Sequence, residues 1–449
     1  MKLKRLVPIA LGIAAVAVLA GCTSTGGSAA GGKVTVNWWT WDPNQAEAYE
    51  QCIPAFEKAN PDITVKVSQY NVSDYFTKLT AGFVAGNAPD AFMNSVTFLQ
   101  SYASQGQLLP LDKDLASGDT KLSSYSIGAS AWKYTDGKQY ALPMDWATMT
   151  LYFNEDLIKA AGYTDKDLQD LKWNPQDGGT FEKVVKHLTV DKNGVRGDEP
   201  GFDSKNVATY GLGNIESTGD PLGQNTWGAI TASAGINIPN KNSWATSFNY
   251  DNPDLVKGVA RIRDLSNGGF SPQLNQFTSS DTDQIGSKQV AMTVGGTWEI
   301  TTFAKVPGIK VGVAPLPAGS DGKRHLLANS NGNVIWSGGK HLDQTWKWIS
   351  YQESATCQTK AALHNGSFLP SISSSVDALA KQQEANGVDF SIFTNYVKNG
   401  ELVPSPVYNN GAAIQALVVP QFESYFTNQA DDSIFPTLQS QVKTLLAKK

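Results

Sequence analysis

Arginine is nearly absent from this chain. After Arg5 only Arg196, Arg261, Arg263 and Arg324 occur, few for a site that must grip phosphate or carboxylate through bidentate forks, so a neutral ligand is favoured. Histidine is as scarce: His187, His325, His341 and His364 are scattered, and with three cysteines they offer no metal-ligand spacing. Neither a metal nor a cofactor is expected. The chain has no Gly-x-Ser-x-Gly elbow, no His-Glu-x-x-His and no cysteine with a plausible histidine base. Nothing marks a carboxylate pair set across a glycosidic bond, so a secreted glycosidase is disfavoured.

Long apolar runs are also missing, with one exception. Lys2, Lys4 and Arg5 precede Leu6 to Ala20, which is too short and too rich in small residues for a comfortable membrane span and reads as a signal peptide over residues 1–21. Leu19-Ala20-Gly21-Cys22 looks like a bacterial lipobox, which implies cleavage before Cys22 and lipidation of its thiol. Acyl chains at about 0.8 kcal/mol per buried methylene would anchor the protein to the membrane. Residues 22–32, polar and glycine-rich, then form a flexible tether. Without the leader, 33 basic residues face 41 acidic ones, a formal charge of −8, and nucleic acid is an unsuitable partner.

What remains is ample for folding. With 449 residues, 41% hydrophobic and 10% aromatic, and no Pro/Gly linker to split them, the chain reads as two interleaved lobes. Lys33 to Trp41, KVTVNWWTW, is a β-rich run covered on both faces. Tyr49, Cys52, Ile53 and Phe56 predict a helix over residues 46–59, and Ile63, Val65 and Val67 alternate as a strand. A helix through Phe76 to Phe83 and a strand at Ala91 to Asn94 follow. This βαβα rhythm argues for an open α/β sheet. Asp191 to Glu199, DKNGVRGDE, fails the EF-hand pattern and reads as a glycine turn.

Asp136 to Gly162, DGKQYALPMDWATMTLYFNEDLIKAAG, reads as a short strand stopped by Pro143, a second strand Thr148 to Phe153, and a helix capped by Asn154 and ended by Gly162. It resembles the hinge of the extracellular sugar-binding proteins that feed ABC importers, family 1, where Gly-Lys-x-Tyr-x-Leu-Pro leaves the first lobe and Leu-Tyr-x-Asn-x-Asp-Leu enters the second. The Ala-Gly-x-x-Pro-Asp of residues 85–90, the Ala-Met-x-x-Gly-Gly-x-Trp ending at Trp298 and the Phe368-Leu369-Pro370 turn extend the likeness.

The resemblance implies a type II periplasmic-binding-protein-like α/β fold, with 33–144 and 303–368 in lobe 1 and 145–302 and 369–449 in lobe 2. It implies a monomeric lipoprotein on the outer face of the cell membrane that binds a neutral oligosaccharide and delivers it to ABC permease subunits. A peptide or glycerophosphodiester is the rival cargo.

Sugars present C–H faces for aromatic rings and hydroxyls for amides and carboxylates. Trp41 and Asp42 lie past the carboxyl end of the first strand, where open α/β sheets place ligands, and Asn94 and Ser95 end another. Asp145 and Trp146 occupy the crossing, and a sugar hydroxyl is the expected partner of that carboxylate. Trp298 and Glu299 follow a glycine pair, Asn329 belongs to a polar knot, and Trp227 and Trp244 are candidate subsites of the second lobe. Trp38 and Trp39 read as core. A Cys52–Cys357 disulfide is expected, since export leaves this pair in an oxidising compartment once Cys22 carries lipid.

Overall fold

The structure, a computed structural model, describes residues 32–448 other than 119, 127, 217, 218, 275, 278, 367 and 386–389. Cys22, the leader and nearly all of the expected tether lie outside the described residues. Among the latter, no helix is long and apolar enough to cross a membrane.

Two five-stranded sheets organise the chain. The first grows from Val34–Thr40, where Val36, Trp38 and Thr40 are buried. Ile63–Gln69 and Ala91–Ser95 flank it in parallel. Asn331–Ile335 then pairs antiparallel with Ala91–Ser95 and with Leu142–Pro143. Trp38 is core, as its place in the strand predicts, and its Nε1 donates to Asn333 Oδ1 at 2.6 Å. The expected helix over 46–59 is two, Pro43–Glu50 and Ile53–Ala59, because Pro54 has no N–H to give to a carbonyl four residues back.

The second sheet runs Val311–Ala314, Met149–Asn154, Val290–Gly296, Val207–Leu212, Val190–Asp191. Met149–Asn154 and Val290–Gly296 are buried at every position. Asn154 caps Glu155–Ala160 through Oδ1, which accepts the N–H groups of Asp156 and Leu157, and Gly162 follows in the left-handed region at φ 82°. Helix Gly179–Leu188 buries Phe181, Val184, Val185 and Leu188, the face its spacing predicts.

Strand pairing corrects the lobe limits at 303 and 369. Val311–Ala314 lies beside Met149–Asn154 in the second sheet, and Leu326–Ala328 pairs with Leu402–Pro404 beside an Arg324–Glu401 ion pair. The chain rejoins the first sheet only at Asn331. Leu369–Pro370 pairs with Asp145–Trp146, yet helix Ser373–Ala385 still packs on first-lobe helix Ala355–Asn365, with Thr359 and Ser375 hydroxyls 2.8 Å apart. Short apolar strands fit either sheet edge, so hydrophobic pattern alone does not assign them.

Cys52 precedes Ile53–Ala59 and Cys357 lies in the first turn of Ala355–Asn365. Both are buried, and their sulfurs are at bonding distance, 2.00 Å, with Cα atoms 5.6 Å apart. That geometry is what a disulfide requires.

Candidate functional site

The lobes meet along extended crossings. Ala147 and Asn329 exchange backbone hydrogen bonds of 2.9 and 2.8 Å, and Met144 N–H donates to the Asn331 carbonyl at 2.9 Å. Asp145 sits beneath this ladder, 3% exposed. Its Oδ1 accepts the Asn331 N–H at 3.1 Å, and its Oδ2 accepts Asn331 Nδ2 at 3.2 Å and the Gln45 amide. Burial pushes its carboxyl up to about 6, against the downward pull of those three hydrogen bonds. The expected sugar partner is thus corrected: protein groups satisfy Asp145. Trp146 is corrected too, being buried in the core at 1% exposure rather than open to a cleft.

An interlobe cavity of about 320 Å³ opens beside the crossing. Phe98 enters it from the first lobe at the end of the 3-10 turn Val96–Phe98. Trp298, 37% exposed, enters from the second, with Tyr408. Gly296 allows the Trp298 placement, because a Cβ there would lie 2.3 Å from the indole. Asp220, Gln224, Asn225, Asn329 and Gln415 supply oxygens and amides. Asp220 accepts the N–H groups of Leu222 at 2.7 Å and Gln224 at 2.9 Å, and burial pushes its carboxyl up to about 6. Among the described residues no Lys, Arg or His lines the cavity. It can hold an uncharged polyol between ring faces, with acceptors and donors around the edge.

Of the expected residues, the structure brings Trp298 and Asn329 to this cavity. The Asn329 side-chain oxygen also accepts the Ser405 hydroxyl at 2.7 Å. Trp41 stands one ring back, 5.4 Å from Phe76, which stacks on Phe98 at 4.1 Å. Asp42 caps Pro43–Glu50 by accepting from Asn44 and Gln45 N–H, and Glu299 accepts the Gly296 N–H at 2.8 Å. Burial raises both carboxyls. Asn94 is buried away from the cavity and Ser95 Oγ faces Thr97 Oγ1 at 2.9 Å.

Trp227 is corrected to a packing residue: it is fully buried and stacked on Phe422 at 4.4 Å. Trp244 is corrected as well, because it contacts the first lobe at Tyr134 instead of lining a subsite. Phe98 and Asp220 are missed by the sequence reading. Phe98 follows Asn94 and Ser95 at the same strand end, so the strand-end argument reaches it; Asp220 opens an Asp-Pro turn in a stretch without other motifs.

A wider groove of about 530 Å³ lies between Asn44 of the first lobe and Thr282, Thr301 and Lys305 of the second. Another concavity, about 780 Å³ around Trp346, Tyr351 and Ser373, involves first-lobe residues. Lobe movement cannot act on it, and the 530 Å³ groove is lined by no aromatic ring among the described residues, so the cavity at Phe98 and Trp298 is the stronger candidate for a sugar.

The profile of the family described as bacterial extracellular solute-binding protein matches residues 51–387. The maltodextrin-binding protein of Bacillus subtilis is 24% identical over 74% of this chain and 72% of its own length. A maltooligosaccharide ABC transporter solute-binding lipoprotein of Streptococcus pneumoniae is 26% identical over 67% and 64%. Among solved structures, an ABC substrate-binding protein of Listeria monocytogenes in complex with cycloalternan superposes with a TM-score of 0.75 at 20% identity, covering 93% of this chain and all of that one. The fold is that of the type II solute-binding proteins.

Proposed function

From the premise that this chain belongs to the bacterial extracellular solute-binding proteins, a family of binding proteins rather than enzymes, we propose that it captures a neutral oligosaccharide between its lobes and presents it to the permease subunits of an ABC importer. One observation carries this reading. Rings from both lobes, Phe98 and Trp298, face a cavity edged by amides and hydroxyls, with no basic side chain among the described residues that line it. Phosphodiester or carboxylate cargo would lack a cationic partner there. The relatives named for maltodextrin and maltooligosaccharide binding support the same ligand class.

A ligand touching Phe98 on one side and Trp298 on the other favours the closed arrangement through its contacts with both lobes, which couples occupancy to shape. Lipidation at Cys22 would hold the mature monomer at the outer face of the membrane, in keeping with the lipoprotein among its relatives. In that oxidising setting the Cys52–Cys357 bond forms and ties the first lobe together. Isothermal calorimetry with α- and β-linked oligosaccharides, a peptide pool and glycerophosphodiesters tests the reading. Heat from a neutral oligosaccharide alone is expected. Tight binding of a glycerophosphodiester or peptide instead would overturn it.

A further inference from the structure

Helix Val72–Ala85 has an unusual outer face. Tyr75, Leu79 and Gly82 turn inward and are buried, half-buried Phe76 and Phe83 line the flank beside them, and Val84 on the outer side is 86% exposed. Phe76, Phe83 and Val84 form one wall of a groove of about 290 Å³. The other wall comes from the segment after Phe98, where Tyr102 stacks near Phe98 at 5.9 Å. Thr80, Ser101 and Gln105 edge the groove, and among the described residues no charged side chain lines it.

Phe98 belongs to both this groove and the interlobe cavity. Phe98 is thus the ring that stands between the groove and the cleft. Its composition repeats that of the cleft: aromatic faces for C–H surfaces and neutral hydroxyls and amides for hydroxyl groups. A cavity of about 320 Å³ is at the small end for a ligand site, so a longer chain held there must emerge, and past Phe98 it meets a surface of matching chemistry.

Resting on the oligosaccharide reading above, we propose that this groove is an outer subsite. It takes the sugar units that protrude from the cleft, so that Val84, Phe83 and Phe76 give the protein its preference for longer neutral oligosaccharides. An exposed apolar patch of this kind otherwise serves as a protein contact surface, and the test separates the two.

Calorimetry on the mature protein with linear α-1,4-linked glucose oligomers, from the disaccharide to the hexasaccharide, reads the subsite directly. Val84→Asp places a charge in the groove at a position whose exposure makes the fold tolerant of it. Val72→Asp, at the other exposed valine of the same helix, 58% exposed and outside the groove, is the control. Wild type and Val72→Asp should gain affinity with length; Val84→Asp should match them on the shortest oligomer that binds and lose about fivefold to tenfold on the longest. A flat length dependence, or a Val84→Asp protein equal to wild type at every length, overturns the subsite while leaving the cleft reading intact. The second of these results is the one a protein-contact patch would give. No binding by any oligomer rejects the α-glucan form of the parent reading and this subsite with it.

Discussion

The Trp244 indole meets the Tyr134 ring edge-on, with centroids 5.2 Å apart and planes at 77°, and its Nε1 donates to the Lys133 carbonyl at 3.3 Å. The two residues come from different lobes. Trp244 pays for its position with a left-handed backbone, φ 53°, which a bulky residue rarely adopts. Its loop is braced by Asn240, whose side-chain oxygen accepts the N–H groups of Thr246 and Ser247, and by Ala245 N–H donating to the Val407 carbonyl at 2.8 Å. The contact lies outside the ligand cavity, so it ties the two lobes together without touching the ligand.

Trp244→Ala should accordingly shift the unliganded protein toward open forms and weaken ligand binding by about 1 kcal/mol, roughly fivefold. Calorimetry gives the affinity. Wild-type affinity in this variant would show that the ring contact does not bias closure.

Two other indoles predict opposite behaviour. Trp298 is 37% exposed and faces the cavity, so Trp298→Ala should weaken binding by about 1 to 3 kcal/mol and leave the melting temperature nearly unchanged. Trp227 is fully buried against Phe422, so Trp227→Ala should destabilise the fold by about 3 to 5 kcal/mol. Paired thermal melts and titrations decide the assignment; a reversed pattern places the ligand elsewhere.

These two tryptophans also mark what the sequence reveals and what it hides. Trp38 is legible as core because a β-rich run surrounds it, and Asn154 is legible as a cap because a polar residue stands between a strand and a helical period. Trp227 is not, since its stacking partner Phe422 lies in a helix near the other end of the chain. Asp220 joins Phe98 at one cavity only through the three-dimensional arrangement of the lobes, although Phe98 itself stands at a legible strand end. Asp145 is identified as buried polar, but its partners Gln45 and Asn331 come from distant segments. The hinge is the reverse case: Pro143, the following strand and the Asn154 cap are adjacent in sequence, so local rules suffice.

Stability should fall as pH rises through the range in which Asp145 ionises. Its folded carboxyl titrates at about 6 against an ordinary 3.8, so between those values the folded state holds more proton than the unfolded one and its stabilisation is lost as pH climbs. The stabilisation is complete below the unfolded value and gone above the folded one. Asp145→Asn should lessen the dependence of melting temperature on pH between roughly 4 and 7 by up to about 3 kcal/mol, leaving the part due to Asp220. Parallel pH profiles for variant and wild type would remove Asp145 as a source.

The Cys52–Cys357 link spans 305 residues of sequence, and closing so long a loop stabilises by about 5 to 6 kcal/mol on the chain-entropy view. Mass spectrometry of never-reduced protein, unfolded and alkylated, should find neither thiol modified, and reductant should lower the melting temperature. Two alkyl groups on that sample would dispose of the bond.

Closure around a ligand is the centre of the account, and small-angle X-ray scattering with and without saturating oligosaccharide measures it most directly. Contacts to Phe98 and Trp298 from opposite lobes predict a smaller radius of gyration in the bound protein. A tightly bound oligosaccharide that leaves the radius unchanged would contradict it.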